Sequence, residues 1–250
     1  MIWVKFIAFA AVIVVAAYFL AKYGDVIAVR TGLGGMFVGI LLMAGATSLP
    51  EVLTSISAVG QGTPNIAAGN LMGSNAFNML LLAVLDLLNR RERLLRKAAR
   101  RHALSGSLAI LLISLSLFFL LVDLDVKILW VGLDSMIIVA VYIMAVRLIS
   151  RDNQPQSTEA YEVPAGTPKL WVGIVGFLVA AGVLIVVTPN LVSTSNEIAV
   201  VTGLGATFVG TTLVALVTSL PELVTTTSAI RIGASDMAIG NLFGSNMFNI

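Results

Sequence analysis

Cysteine is absent from the 250-residue chain, and histidine occurs once, as His102. A disulfide framework and thiolate metal sites are thereby excluded, as are histidine metal clusters and a Ser-His-Asp triad. Charge is scarce too. Asp, Glu, Lys and Arg make up 11% of the residues, where a soluble domain carries about 25%. No cofactor and no nucleic-acid partner are expected. In place of charge stands apolar sequence: 58% of the residues are hydrophobic and the mean hydropathy is +0.99. This is the composition of an all-α, polytopic membrane protein whose first partner is lipid. No A-x-A-like cleavage pattern follows the first apolar run, so residues 2–22 read as a membrane helix rather than a removable signal.

Further apolar runs predict helices over 33–59, 64–88, 103–122, 126–149, 169–188 and 202–230, with an eighth beginning near 235. Lys and Arg orient them. The stretch "NRRERLLRKAARRH" (89–102) holds seven of the 15 basic residues and should be cytoplasmic. Alternating from there, the same side receives Lys22, Arg30, Arg147, Arg151, Lys169 and Arg231. The opposite side receives only Lys5 and Lys127, and the N-terminus is extracytoplasmic. The polar stretch 150–168 is then a cytoplasmic linker between a first half, 1–149, and a second, 169–250. The basic link could bind anionic lipid, but its plainer reading is a topology determinant.

The halves repeat. A shift of 171 residues lays 31–79 on 202–250 without a gap, with 27 identities in 49 positions. "TGLG", "FVG", "TSLPE", "GNL" and "GSN" each recur whole. The second run travels from inside to outside and the seventh the reverse, so the repeats are inverted, an arrangement many secondary transporters share. Duplication kept for packing alone explains repeated glycines but not a repeated glutamate in lipid.

That glutamate carries the chemistry. A carboxylate at a membrane-helix centre costs about 2.5–3.5 kcal/mol on insertion scales. Glu51 must therefore face protein, water or a cation, and so must Glu222. Pro50 and Pro221 have no N–H to give, so the carbonyls of Ala46 and Val217 lose their partners and become hard oxygen ligands where they line a cavity. Thr47 and Ser48 lie four and three residues before Glu51, on its helix face. Thr218 and Ser219 stand likewise before Glu222. The partner segments "GNLMGSNAFN" (69–78) and "GNLFGSNMFN" (240–249) carry G-x-x-x-G, which lets a second helix approach closely. Each also carries a stripe at every fourth residue: Asn70, Ser74 and Asn78, and Asn241, Ser245 and Asn249. For Asn70, Asn75, Asn241 and Asn246, interhelical hydrogen bonding and ion ligation remain equal readings. Asp86, Asp134 and Asp236 read as interfacial or helix-terminal charges. An all-oxygen set with two negative charges selects hard cations such as Ca²⁺ or Na⁺ over zinc or copper. It can exchange one Ca²⁺ for two Na⁺ with little electrostatic change. A hydrolase using paired carboxylates is the rival from another class. Their symmetric placement, with no asymmetric acid and base, argues against it and against any enzyme.

"GATSLPE", "GNLMGSN", "VTSLPE" and "GNLFGSN" resemble the paired alpha-repeats of the sodium/calcium exchanger family, within the calcium/cation antiporter superfamily. The resemblance implies an inverted-repeat antiporter on a plan of five plus five helices, of which about eight are present, in the inner membrane. It implies alternating access, with 2–22 and 169–188 sliding across a rigid core. Glu51 and Glu222 would be the main calcium ligands, and Thr47 and Thr218 would contribute backbone carbonyls. Ser48, Ser219, Ser74 and Ser245 would bind sodium, Asn78 would sit at the centre, and Ala44 and Ala215 would add carbonyls. Asn249 occupies a position where some prokaryotic members carry Asp. The family's ten helices imply that a chain stopping inside its eighth is a fragment, or that two helices lie elsewhere. Na⁺/Ca²⁺ antiport is the leading expectation. A Ca²⁺/H⁺ antiporter using the same glutamates and a transport-inactive fragment remain alternatives. Oligomeric state is left open.

Overall fold

The computed structural model describes residues 1–31, 44–88, 102–122, 126–129, 131–152, 166–231 and 235–250. The basic link expected to be cytoplasmic therefore lies almost wholly outside the described residues. So do most of the linker at 150–168 and the first part of the 33–59 run.

The longest helices are α1 (Ile2–Thr31) and α6 (Leu170–Thr202), each exceeding its expected span. Their ends coincide under the repeat, since Thr31 and Thr202 stand 171 residues apart before the two "TGLG" sequences. At the second of these, Gly203 takes a left-handed conformation (φ 70°) and returns its N–H to the Ala199 carbonyl. This closure favours glycine because a side chain is strained there. Neither Lys22 nor Pro189 ends a helix as expected. Lys22 is exposed, and α6 continues through Pro189 to Thr202.

Between these helices the first half supplies a helical turn at 44–47, α2 (Leu49–Gly60), α3 (Pro64–Leu88), α4 (Ala103–Val122) and α5 (Leu133–Asp152). The limits of α3 and α4 match expectation, α3 opening on a proline whose missing N–H would have been unpaired anyway. The run at 126–149 needs correction. A short antiparallel hairpin, β1 (Lys127–Ile128) with β2 (Val131–Gly132), precedes α5, its turn holding Leu129 at a positive φ of 61°. Apolar periodicity alone cannot separate so short a strand from a helical start.

The second half continues as α7 (Ala206–Val209), a π-helical turn (Gly210–Val214), α8 (Ala215–Thr218), α9 (Leu220–Arg231) and α10 (Ser235–Phe248). Among the described residues α1, α3, α4 and α6 are long and apolar enough to cross a membrane. The segment Ala206–Thr218 with α9, bent by 43°, makes a fifth if counted as one span.

Close glycine contacts set the layout. A β-carbon at Gly69 would lie 2.6 Å from the Thr207 carbonyl oxygen, and one at Gly210 would lie 2.6 Å from the Ile66 carbonyl oxygen. Only hydrogen in both places lets α3 seat against α7 and the π turn, as the G-x-x-x-G pattern leads one to expect. A second interface joins α1 to α6, and its apolar core takes in Ile13, Leu20, Leu184, Leu191 and Ile198.

Candidate cation site

Both "TSLPE" segments break the helix at the same point in the same way. Ser48 precedes α2 with φ −85° and ψ 0°, and Ser219 precedes α9 with φ −88° and ψ 4°. This is the sparsely populated bridge region, where a chain changes direction without a loop. One residue later the helix resumes with proline in its first turn, where no intrahelical N–H is required. Glu51 and Glu222 therefore occupy the first turns of α2 and α9, where aligned backbone dipoles favour negative charge.

Both glutamates are completely buried. Their hydroxyl donors come largely from the opposite repeat. Ser219 Oγ donates to Glu51 Oε1 at 3.0 Å, and Ser48 Oγ donates to Glu222 Oε1 at 3.3 Å. Each serine was expected beside the glutamate of its own helix. The bridge-region turn at the serine removes that regular spacing, and the hydrogen bonds cross between repeats. Ser74 Oγ adds a donor to Glu51 Oε1 at 3.4 Å and approaches Thr218 Oγ1 at 3.5 Å. Thr47 Oγ1 lies 3.3 Å from Ser245 Oγ. Thr47, Ser48, Glu51, Ser74, Thr218, Ser219, Glu222 and Ser245 thus form one fully buried group.

The asparagines divide by task. Asn70 Nδ2 donates to the Glu51 carbonyl oxygen and Ser55 Oγ, both at 3.2 Å, while its Oδ1 accepts from Thr218 Oγ1 at 3.1 Å. Asn241 Nδ2 donates to Thr225 Oγ1 at 3.2 Å. Both fasten one helix to the next. Asn78 Nδ2 donates to Asn246 Oδ1 at 2.9 Å, and Asn246 Nδ2 donates to the Asn75 carbonyl at 3.3 Å. Asn78 does not hydrogen-bond either glutamate directly. The Ala44 carbonyl accepts from the Ser48 N–H and Thr47 Oγ1, and the Ala215 carbonyl accepts from the Ser219 N–H and Thr218 Oγ1. The serine N–H groups occupy these carbonyls, and each threonine hydroxyl, with one proton to give, also lies within reach of a second partner, Ser245 for Thr47 and Asn70 for Thr218.

Among the described residues, Glu51 Oε2, Glu222 Oε2, Asn78 Oδ1 and Asn249 Oδ1 have no protein donor, nor do Thr54 Oγ1, Asn75 Oδ1 and Asn241 Oδ1. Buried polar atoms are ordinarily paired, and the first four belong to the acidic pair and its asparagine stripe. With no sulfur or imidazole among them, the donor set suits a hard, dehydrated cation carried as substrate.

The sequence profile described as sodium/calcium exchanger protein matches residues 1–150 and 172–250. The chain belongs to the sodium/calcium exchanger protein family. It is 30% identical to the putative antiporter CaxA of Alkalimonas amylolytica over 90% of this chain and 70% of that protein. Among solved structures, the sodium-calcium exchanger NCX_Mj soaked with Na⁺ and Sr²⁺ superposes with a TM-score of 0.56 at 24% identity, over 98% of this chain and 78% of that one. The H⁺/Ca²⁺ exchanger CAX does so with a TM-score of 0.69 at 14% identity, over 99% and 64%. These two likenesses concern fold. The exchanger family is one of polytopic membrane transporters, and this chain is a cation exchanger of that kind rather than an enzyme.

Proposed function

We propose that the chain exchanges Na⁺ for Ca²⁺ across the membrane by alternating access, binding both at the Glu51–Glu222 pair. The observation that carries this reading is the pair itself. Two fully buried carboxylates are held by each other's repeat, and each has one oxygen without a hydrogen-bond donor. Two like charges out of water are costly unless a cation compensates them. One Ca²⁺ or two Na⁺ does so fully, and each excludes the other by charge balance.

In this reading Glu51 and Glu222 provide the charge, and the carbonyls of Thr47 and Thr218 with Ala44 and Ala215 border it. Ala44 and Ala215 would first have to give up the hydrogen bonds that now occupy them. Ser48, Ser74 and Ser219 turn their oxygens from the carboxylates to sodium as calcium leaves, and Ser245 turns its oxygen from Thr47. Asn78 and Asn249 offer neutral oxygens at the centre. The alpha-repeats at 31–79 and 202–250 act as the fixed core of halves 1–149 and 169–250. The charge bias supports an extracytoplasmic N-terminus in an inner membrane, with 89–102 and 150–168 cytoplasmic.

A second reading, Ca²⁺/H⁺ exchange, is favoured by the same unpaired oxygens. Glu51 Oε2 and Glu222 Oε2 can each take a proton where sodium would otherwise balance the charge. Calcium uptake into vesicles, measured with a sodium gradient and then with a proton gradient alone, decides between them. Uptake driven by sodium at constant pH supports the first reading. Uptake driven only by protons replaces it with the second, and no uptake under either gradient refutes both.

A further inference from the structure

The inverted repeat permits a comparison of the two approaches to the buried pair. On one side a crevice of about 260 Å³ opens between α1, α9 and the start of α10. Tyr18, Lys22, Asp25, Thr225, Ser228 and Met237 line it. At roughly 30 Å³ per water, it has room for a cation with its inner hydration shell. Thr225 stands one turn beyond Glu222, and its hydroxyl donates to the carbonyls of Pro221 at 2.9 Å and Glu222 at 3.2 Å. The crevice therefore ends one helical turn from the buried carboxylate.

The same positions in the other repeat are shut. Thr225, Ala229 and Met237 correspond under the 171-residue shift to Thr54, Ala58 and Ile66, all three completely buried. The position equivalent to Tyr18 is Pro189. There Gln61 Nε2 donates to the Pro189 carbonyl and to Ser57 Oγ, both at 3.0 Å, and ties α6 to the end of α2. Isoleucine 232 takes the place of that glutamine in the second repeat. Charged residues are also placed differently on the two sides: Lys22 and Asp25 correspond to Ser193 and Asn196, and Glu197 follows Asn196.

Asp25 is an acid within an apolar helix, and among the described residues it makes no hydrogen bond and no ion pair. Lys22, one turn earlier on the same rim, does not pair with it. Its carboxylate stands on the crevice wall without a partner among the described residues, free to meet a cation there. We infer that the α1–α9–α10 crevice is a cation-binding vestibule. Asp25 captures a hydrated hard cation there and passes it along Thr225 to Glu222. The inference rests on the exchange reading above. The vestibule lies at the end that carries Arg30 and Arg231, which the charge bias makes cytoplasmic.

The test is calcium uptake by the full chain in vesicles of each orientation, comparing the natural protein with D25N and D25E. A single carboxylate at a mouth concentrates cations locally, so D25N should raise the half-saturating calcium concentration about three- to tenfold. It should do so only when calcium is presented to the crevice side, with maximal rate kept and D25E near normal. Because the protein has no cysteine, D25C offers the same test within one folded sample. Labelling it with a sulfonatoethyl thiosulfonate should restore low half-saturation, whereas the aminoethyl reagent should not. Equal half-saturation for D25N and the natural protein, or an equal shift from both sides, overturns the vestibule. So does a D25C protein that responds alike to both reagents. Loss of uptake by the natural protein itself would instead refute the exchange reading.

Discussion

Replacing Glu51 or Glu222 by Gln keeps the shape and removes one of two buried charges. At an effective dielectric of 20, two unit charges 4 Å apart attract by about 4 kcal/mol, so a divalent ion loses about 8 kcal/mol of attraction. Gln also spares the desolvation of a carboxylate, which is worth several kcal/mol. The net loss is on the order of 4 kcal/mol, or about a thousandfold in calcium affinity. A monovalent ion carries half the charge, loses half that attraction and should be weakened much less. Because Glu51 and Glu222 are equally buried and each accepts from a serine of the other repeat, the two variants should suffer alike. Calorimetric calcium titration of detergent-purified protein measures this, with thermal unfolding as a check on folding. If either variant binds calcium within tenfold of the natural protein, that glutamate is not a principal ligand and the assignment is wrong.

Ser48→Ala and Ser219→Ala each remove a hydrogen bond to a charged oxygen, worth about 1.5–3 kcal/mol. Both should raise the sodium needed for half-maximal exchange about tenfold or more, with calcium affinity moving less; a calcium effect larger than the sodium effect would exchange their roles. Gly69→Val places side-chain atoms against the Thr207 carbonyl. It should cost about 1–3 kcal/mol, read as a lower unfolding temperature, and an unchanged temperature would show that α3 does not depend on this contact. Asn249→Asp adds a third buried carboxylate on the asparagine stripe and should increase the sodium coupled per calcium, visible as a shifted reversal potential in vesicles. A cysteine replacing Ala99, in a protein otherwise lacking cysteine, should resist an impermeant thiol reagent added outside intact cells, and ready labelling there would invert the proposed topology.

Much of this molecule is legible in its sequence because lipid permits few solutions. Backbone groups in hydrocarbon must be satisfied internally, so long apolar runs become helices, and the limits of α3 and α4 could be read directly. The ends of α1 and α6 could not. Lys22 and Pro189 look like terminators in isolation, yet an exposed lysine is tolerated at a helix surface. The α6 helix continues through Pro189, and the contact Gln61 makes there comes from 128 residues away, where no local pattern shows it. The members of the buried Glu51–Glu222 group could be read from the sequence, but the network that joins them could not. Spacing places Ser48 on the face of Glu51, whereas the bridge-region turn sends its hydroxyl to Glu222. Nothing local encodes that crossing. The repeat does, since two inverted copies of one motif can bury their charges only by meeting at a shared centre.

That shared centre also explains why the halves are alike at the ligands and unlike around them. Ser48 and Ser219 have nearly the same backbone angles and complementary donors, so the pair presents the same chemistry to a cation arriving from either side. Symmetry there makes the two bound states comparable in energy, which exchange needs. The surroundings break the symmetry. Gln61 fastens α6 to the end of α2, while the equivalent position in the second repeat is an isoleucine with no amide to give. In the vestibule reading, Asp25 marks the open side, and Asn196 stands at its counterpart. A fully symmetric molecule would have no preferred resting state. In the exchange reading, differences at these few positions bias which side stands open, and leave untouched the oxygen atoms proposed to hold the cation.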